Sequence, residues 1–437
     1  MYIFRSNQQV IEQSFASSYI TILLGPRRVG KSTLVFEYAC KHDQDIWVHI
    51  NMDILAERDF IIKHGLKQKI EELALRRIGP QPKLWVAIDE AQKCPALFEQ
   101  IKVIYDTHKD NDAIKFILTG SAYLNLQQLS TESLAGRVEL FQLQEFNLVE
   151  TVRYLADISL PKVSFLDCIL QNNVAAISRV HDEMAPYRVK LLDGLAQQLV
   201  WGGLPEVLKL SDENHRLKYL SAYLQTYLEK DITPIHAIND LQLYRHLLDI
   251  VAEQTGSVRQ DKNILDALSC ARETLKKYRG YLSATLIYHE IYPYIQNTLK
   301  RLVKSPKGYL LNNGMISYLT GLRELETLTK TGIIGHRFEN WMLKELLVAC
   351  ARCYERTNIY YWRTSSGIEV DFILEKKPDI YPIEITYSEK INQKKLKNMK
   401  TFLQTEPKAK VGIFIYLGKF KYDPGNNIYF IPAWMVS

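Results

Sequence analysis

The sequence predicts an α/β protein, and two features of its first 145 residues indicate a parallel sheet with helices on both faces. Short runs rich in Ile, Val, Leu and aromatic residues are typical of strands buried on both faces. They occur at Tyr19–Leu24, Ile46–Asn51, Leu84–Asp89, Lys115–Thr119 and Val138–Leu143. Helical stretches separate most of them, at about Lys31–His42, Phe60–Arg77 and Ala96–His108. Strands that alternate with helices favour a parallel sheet.

Composition excludes several classes of protein. The chain has 437 residues, of which 47% are hydrophobic and 24% charged, so it is neither disordered nor fibrous. No stretch approaches the ~20 consecutive apolar residues that cross a bilayer, and Met1–Ser6 does not begin a signal peptide. We therefore expect a cytoplasmic protein with no membrane partner. The six cysteines suggest no disulfide framework, and the net charge of +6 permits nucleic acid as a partner without requiring it.

After about Phe146 the alternation of strands and helices stops, and the sequence predicts mostly helices. The clearest is Arg216–Lys230, where leucines recur at helical spacing and whose first residue the pattern does not determine. From Asp240 to about Asn313, three short helical pieces precede β-like runs at Ala284–Tyr294 and Gly308–Leu311. Three helices and a hairpin are the outline of a winged helix. Its second and third helices would form a helix-turn-helix, with Glu273–Leu282 in the recognition position.

The last hundred residues predict another α/β unit. A helix covers about Gly335–Cys353, and a basic helix is expected at Lys390–Thr401. Strand-like runs occur at Ile359–Arg363, Glu369–Leu374, Ile380–Thr386, Val411–Tyr416 and Ile428–Ile431. These patterns predict four domains: an α/β core at 1–150, a helical lid region at 151–235, a winged helix at 236–315 and a final domain at 330–437.

The first site motif is a phosphate-binding loop of the form G-x-x-x-x-G-K-S, which follows an apolar strand and opens a helix. Backbone N–H groups of such a loop wrap a phosphate, and the helix N-terminus adds partial positive charge. Lys31 would reach the β- and γ-phosphates of ATP, and Ser32 would give its hydroxyl to Mg²⁺. The nucleotide-binding residues expected here are Gly25, Pro26, Arg27, Arg28, Val29, Gly30, Lys31, Ser32 and Thr33.

The second motif is an apolar strand, Leu84–Ile88, that ends in the acid pair Asp89 and Glu90. Asp89 would hold the Mg²⁺ of Mg²⁺-ATP, directly or through water, and Glu90 would act as general base toward the attacking water. The cation also explains why two carboxylates end a buried strand, which is otherwise costly. The alternative is a solvated pair that caps the next turn.

A third buried strand ends in Thr119-Gly120-Ser121. If it lies beside the strand that ends at Asp89, Thr119 or Ser121 could hydrogen-bond the γ-phosphate or its attacking water. The alternative is that both residues only cap the turn.

These three pieces resemble the AAA family of ATPases, in which an added strand separates the phosphate-loop strand from the acidic strand. Three later motifs resemble one bacterial and archaeal subgroup of that family: Glu132–Arg137, Gly202–Val207 and Gln254–Gly256. The resemblance implies a winged helix, a C-terminal nuclease-like domain and a possible homo-oligomer. It also implies that Arg137 could act as a catalytic arginine toward a neighbouring subunit. The alternative is a loop arginine bound to a local carboxylate such as Glu132.

The C-terminal unit resembles the PD-(D/E)XK nuclease fold, with Glu339 on a helix, Asp371 on one strand and Glu384-Ile385-Thr386 on the next. The resemblance implies a metal site formed by Glu339, Asp371 and Glu384. Thr386 stands where that fold has a lysine, and threonine carries no positive charge. Two readings stay open: a lysine from the following segment, at Lys390, Lys394 or Lys395, replaces it, or the domain is an inactive copy used for binding.

Two basic segments bear on the partner. Arg272, Lys276, Lys277 and Arg279 fall on or near the expected recognition helix, and Lys300, Arg301, Lys304 and Lys307 surround the expected wing. Such residues would give salt-dependent binding of double-stranded DNA. Winged helices also dock proteins. Two hypotheses follow: an ATPase that acts on DNA, or a nucleotide-dependent switch or scaffold that binds a partner protein.

Overall fold

A computed structural model describes residues 2–79, 82–121, 133–233, 238, 240–295, 301, 304–353 and 355–437. The chain divides into two compact units. The N-terminal unit comprises residues 1–144 with 284–286, and the second unit comprises 145–283 with 287–437. Among the residues just given, no helix is long and apolar enough to cross a membrane.

The N-terminal unit is built on a five-stranded parallel sheet in the order β2-β3-β4-β1-β5. Its strands are β1 (Ile20–Leu24), β2 (Ile46–Asn51), β3 (Leu84–Asp89), β4 (Ile114–Gly120) and β5 (Val138–Gln142). Its helices are α1 (Gln8–Ala16), α2 (Lys31–Lys41), α3 (Leu55–His64), α4 (Leu66–Leu73) and α5 (Ala96–His108). The α/β fold class is therefore confirmed, and β4 lies between the loop strand β1 and the acidic strand β3.

The three central strands are buried along almost their whole length, as strands covered on both faces should be. Their side chains form one apolar core, in which Ile22, Val86 and Leu118 are fully buried. One expected helix was wrong in detail. The stretch Phe60–Arg77 holds two helices rather than one, because the chain turns at Gly65, whose φ is +90°.

The second unit begins with helices α6 (Leu148–Ala156), α7 (Phe165–Leu170), α8 (Ile177–Met184), α9 (Arg188–Trp201), α10 (Pro205–Lys209) and α11 (Glu213–Tyr227). The helix expected at Arg216–Lys230, whose first residue the sequence left undetermined, begins at Glu213. The Asp212 side chain accepts from the backbone N–H of His215 and so caps α11. A π-helical segment, Leu228–Ile232, follows it.

The next stretch has the element order helix, strand, helix, helix, strand, strand. It comprises α12 (Leu241–Glu253), β6 (Ser257–Val258), α13 (Asp261–Leu268), α14 (Arg272–Ala284), β7 (Tyr288–Pro293) and β8 (Lys307–Leu310). Strand β8 pairs antiparallel with both β6 and β7. The three expected helices and the two expected strands are present, although Ala284 ends a helix instead of opening a strand.

The C-terminal part continues the same sheet, in the order β13-β14-β12-β11-β10-β9-β7-β8-β6. Its strands are β9 (Thr357–Arg363), β10 (Glu369–Lys376), β11 (Asp379–Ile385), β12 (Gly412–Tyr416), β13 (Lys421–Asp423) and β14 (Ile428–Pro432). Its helices are α15 (Asn313–Thr320), α16 (Leu325–Lys330), α17 (Ile334–Cys350) and α18 (Gln393–Thr405). The basic helix begins at Gln393 and not at Lys390, because the Asn392 side chain caps it.

Candidate nucleotide-binding site

The phosphate-binding loop joins β1 to α2 and comes close to the neighbouring backbone. A Cβ at Gly25 would lie 2.1 Å from the Leu143 backbone oxygen, so only glycine fits there. Gly30 caps α2 with a φ of +98°, a conformation that favours glycine. The Arg5 guanidinium donates from Nη1 to the Val29 carbonyl at 2.8 Å and stabilises the loop from outside.

Lys31 lies across its own loop. Its side chain is buried, and Nζ donates to the carbonyl oxygens of Gly25 and Pro26, both at 2.9 Å. The loop therefore curls around an ammonium group at the start of α2, where the helix N-terminus also favours an anion. Of the other expected loop residues, Arg28, Ser32 and Thr33 are exposed.

The acidic strand meets the loop at Asp89. Ser32 Oγ donates to Asp89 Oδ2 at 2.9 Å, and Thr119 Oγ1 donates to Asp89 Oδ1. This contact follows from the strand order, because β4 pairs with both β1 and β3 and brings the ends of all three strands together. A hydroxyl and a carboxylate held at this spacing are the hard oxygen ligands that suit Mg²⁺.

Glu90 is held in place on the same edge. Its side chain is buried, and Oε2 accepts from Gln92 Nε2 at 2.6 Å and from Ser121 Oγ at 3.1 Å. Thr119 and Ser121 therefore both contact the acid pair: the first touches Asp89, the second Glu90. The sequence analysis missed two residues that contact this site: Gln92, which donates to Glu90, and Arg5, which donates to the loop at Val29. Neither belongs to the loop motif or the strand motif.

Arg137 lies outside this cluster of contacts. Its guanidinium forms a two-pronged ion pair with Asp106, with Nε–Oδ1 at 2.8 Å and Nη2–Oδ2 at 2.9 Å, and also donates to the Ala135 carbonyl. The hydrogen bond from Arg137 lowers the pKa of Asp106. The sequence analysis gave a local carboxylate as the alternative partner of this arginine. Glu132, its example of such a carboxylate, lies outside the described residues.

A second group of charged residues lies in the C-terminal domain. Asp371 on β10 and Glu384 on β11 sit on adjacent antiparallel strands. Lys395 of α18 reaches both carboxylates, with Nζ 2.5 Å from Asp371 Oδ2 and 3.5 Å from Glu384 Oε2. Of the three lysines proposed to replace the one absent at Thr386, Lys395 is therefore the one that meets the acids.

Glu339 on α17 belongs to the same charged cluster, since Lys395 and Lys307 each interact electrostatically with both Glu339 and Asp371. Glu339 Oε1 accepts from Lys307 Nζ at 2.9 Å and from the Tyr309 hydroxyl at 2.6 Å, and Lys307 also pairs with Glu369 at 2.6 Å. The expected metal site of Glu339, Asp371 and Glu384 stays a prediction. In the described part of the chain, no three Asp, Glu, His or Cys side chains gather as metal ligands. In this structure β8 supplies a buried ammonium and a phenol to Glu339.

The pKa values of the two strand carboxylates move in opposite directions. Burial and the adjacent Asp371 raise the pKa of Glu384 well above its usual value. Burial also opposes ionisation of Asp371, but Lys395 and Lys307 outweigh it and lower its pKa. The pair therefore favours an ionised Asp371 beside a protonated Glu384.

The basic residues of the expected winged helix divide into engaged and exposed ones. On α14, Arg272, Lys276 and Lys277 are exposed, whereas Arg279 is buried and pairs with Asp261. A cavity of about 590 Å³ opens beside this helix, lined by Arg272, Lys276 and Arg279 among others.

The expectation for the wing needs correction. Arg301 donates to Tyr360 Oη and to the Ile295 carbonyl, and Lys307 is buried, so neither is available to a phosphate. Lys304 is exposed, and Lys300 lies outside the residues that the structure covers.

Three family models match this chain. Residues 17–152 match an "AAA domain" model. Residues 192–326 match "Domain of unknown function (DUF8612)", and residues 334–436 match "Domain of unknown function (DUF4143)". The first match covers the parallel sheet and both motifs of the loop and acidic strand.

Two proteins similar in sequence to this chain are described as uncharacterized. An uncharacterized protein of Mycobacterium tuberculosis is 24% identical over 421 residues, which cover 95% of this chain and 80% of that protein. An uncharacterized protein of Methanocaldococcus jannaschii is 21% identical, over 83% of this chain and 74% of that protein. A solved Walker-type ATPase of Pyrococcus abyssi is 16% identical with a TM-score of 0.45, over 72% of this chain and 94% of that one. The AAA match, with the loop and the strand order, supports an AAA-type P-loop ATPase.

Proposed function

We propose that this chain binds Mg²⁺-ATP at the loop Gly25–Ser32 and hydrolyses it with Glu90 as general base. The observation that supports this most directly is the hydrogen bond between Ser32 Oγ and Asp89 Oδ2, at 2.9 Å. It joins the phosphate-binding loop to the acidic strand, beside Lys31 within the loop and Glu90 on the same edge.

Each residue has a physical role in this proposal. Lys31 exchanges its two carbonyl contacts for phosphate oxygens, and the amides of the loop bind the phosphates from the other side. Ser32 and Asp89 fit Mg²⁺, which when bound neutralises charge that develops on the phosphates. Glu90 takes the proton of the water that attacks the γ-phosphorus in line with the bond that breaks.

The test is ATP hydrolysis by the full chain and two variants. We expect Lys31→Ala to lose nucleotide binding and Glu90→Gln to bind ATP but turn it over at least 100-fold more slowly, because its side chain cannot accept a proton. Lys41→Ala, on the far end of the same helix, is the control and should hydrolyse normally. Normal turnover by both Lys31→Ala and Glu90→Gln would refute the proposal.

Arg137 remains a proposal for a catalytic contact to a neighbouring copy in a homo-oligomer. For that role its ion pair with Asp106 has to open. Because the pair is partly exposed to solvent, opening it costs little. A rate of hydrolysis per chain that rises with protein concentration in the parent and not in Arg137→Ala would support the role. The same concentration dependence in both proteins would exclude it.

We further propose that the ATPase acts on double-stranded DNA through the winged helix expected at residues 236–315. Support comes from the element order of this stretch and from Arg272 and Lys276, which are exposed one helical turn apart on α14. DNA should stimulate ATP hydrolysis, and binding should weaken with salt. The plot of log K against log salt has a negative slope. Reversing both charges, in Arg272→Glu/Lys276→Glu, should make that slope shallower by about 2.

Lys330→Glu is the matched control for that experiment, since Lys330 is an exposed lysine of the same unit that pairs with Glu326. An unchanged salt slope in the double variant, or no binding of DNA by the parent at low salt, would favour the alternative function. In that alternative the chain is a nucleotide-dependent switch or scaffold that binds a partner protein.

The C-terminal charged residues support the PD-(D/E)XK resemblance and bear on both functions. Lys395 beside Asp371 and Glu384 supports cleavage of DNA, whereas Lys307 and Tyr309 on Glu339 support a domain that binds without cutting. We favour binding without cutting, because a buried ammonium already neutralises the helix carboxylate. Cleavage by the parent with Mg²⁺ or Mn²⁺ that is lost in both Asp371→Ala and Lys395→Ala would overturn this preference.

A further inference from the structure

The turn after β3 fixes the position of Glu90. Glu90 has a φ of +54°, which residues with a side chain adopt sparsely and keep only where the surroundings hold them. The Lys93 N–H donates to the Glu90 carbonyl at 3.0 Å, and the Met52 N–H donates to the Asp89 carbonyl at 2.9 Å. The backbone of the acid pair is therefore anchored to the turn on one side and to the chain after β2 on the other.

Among the hydrogen bonds of the described residues, those to the Glu90 side chain fall on one oxygen. Gln92 Nε2 and Ser121 Oγ both donate to Oε2, at 2.6 and 3.1 Å. Two donors on the same oxygen set the rotation of the carboxylate and leave Oε1 as the atom that can accept a proton from water. The amide of Gln92 must present its nitrogen here, because its oxygen would face a carboxylate oxygen with no hydrogen between them.

Within the described part of the chain, the amide of Gln92 makes no other hydrogen bond that would explain it as a structural link. Its Oε1 is buried and has no hydrogen-bond partner among the described residues. A buried acceptor left without a donor is unfavourable. The contact of this side chain with Glu90 is therefore the interaction that its position serves.

We propose that Gln92 is a positioning residue for ATP hydrolysis. By donating to Oε2 it holds the Glu90 carboxylate so that Oε1 faces the attacking water. In the step it supports, the water oxygen forms a bond to the γ-phosphorus, and the bond from phosphorus to the bridging oxygen breaks with its electron pair going to ADP. One water proton goes to Glu90 Oε1. This inference rests on the proposed ATPase function.

The test separates positioning from binding and from packing. Gln92→Ala should lower kcat about 10- to 100-fold and leave the KM for ATP within 3-fold, because misplacing a catalytic group by about 1 Å costs on the order of 100-fold. Gln92→Glu keeps the shape and removes the donor, so it should lose at least as much kcat. Lys93→Ala, in the same turn but paired with Asp53, should behave as the parent.

A double-mutant cycle supplies a readout that a structural role would not move. If Gln92 acts through Glu90, adding Gln92→Ala to Glu90→Gln should reduce single-turnover hydrolysis by less than 3-fold further. Full turnover by Gln92→Glu, a change confined to KM, or losses that multiply in the double variant would each overturn the inference. If Glu90→Gln itself hydrolyses ATP normally, the proposed function fails first, whereas an inactive Glu90→Gln with a normal Gln92→Ala refutes only the role of Gln92.

Discussion

Removing the ammonium of Lys307 should destabilise the C-terminal domain strongly. Lys307 is buried, with Nζ 2.9 Å from Glu339 Oε1 and 2.6 Å from Glu369 Oε1. At an effective dielectric constant of about 20, each attraction amounts to about 6 kcal/mol before the cost of desolvating the charges. Lys307→Met leaves the two carboxylates without this cation, and breaking a buried pair in that way costs about 3–5 kcal/mol.

The pH dependence of this contribution follows from its sign. Burial alone lowers the pKa of Lys307, but Glu339 and Glu369 outweigh burial and raise it above its usual value. A lysine with a raised pKa stabilises the fold fully below its unfolded pKa, about 10.4, and loses that effect only as pH rises through the folded value. The loss in Lys307→Met should therefore be constant between about pH 6 and 9.

Hydrogen exchange read on β8 and α17 is the appropriate assay, because it reports the stability of these elements rather than that of the whole two-unit chain. We expect exchange in both elements to speed up by at least 100-fold in Lys307→Met. Adding Glu339→Gln should restore part of the protection, because it removes one of the two carboxylates that lost this ammonium. Protection equal to that of the parent in Lys307→Met would refute the account of this ion pair.

Three further predictions concern the second unit. Gly203→Ala should lower the free energy of unfolding by about 1–3 kcal/mol, since its Cβ would lie 2.3 Å from a backbone oxygen. Gly280→Ala, in open space on α14, is the control and should be neutral or stabilising by up to about 1 kcal/mol. Urea denaturation measures both. Glu384→Gln should raise the melting temperature at pH 7, because a carboxyl whose pKa is raised in the folded state disfavours folding above its unfolded pKa of about 4.3. The gain in melting temperature should vanish below about pH 4, and a gain that persists there would contradict the burial argument. Burial raises the pKa of Cys350 to about 12, so its thiol should resist alkylation at pH 8 until the chain unfolds; rapid labelling of the native protein, located by mass spectrometry, would show the reasoning to be wrong.

The sequence by itself determined the features that depend on neighbouring residues. The loop Gly25–Ser32 and the apolar strand that ends at Asp89 are local patterns, and alternating strands and helices were sufficient to predict the parallel sheet of the N-terminal unit. Helix starts at Glu213 and Gln393 depended on capping side chains one residue before them, Asp212 and Asn392. The sequence left the first start undetermined and placed the second three residues too early.

Tertiary structure decided which distant residues meet. The strand order brings Thr119 to Asp89, and the direction of α18 brings Lys395 to Asp371, one of three lysines between which the sequence could not choose. The contact of Lys307 with Glu339 joins residues of β8 and α17 that no periodicity relates. Such contacts arise because chain segments far apart in sequence pack together, and their charges then pair across the shared interior, where an unpaired charge would be too costly.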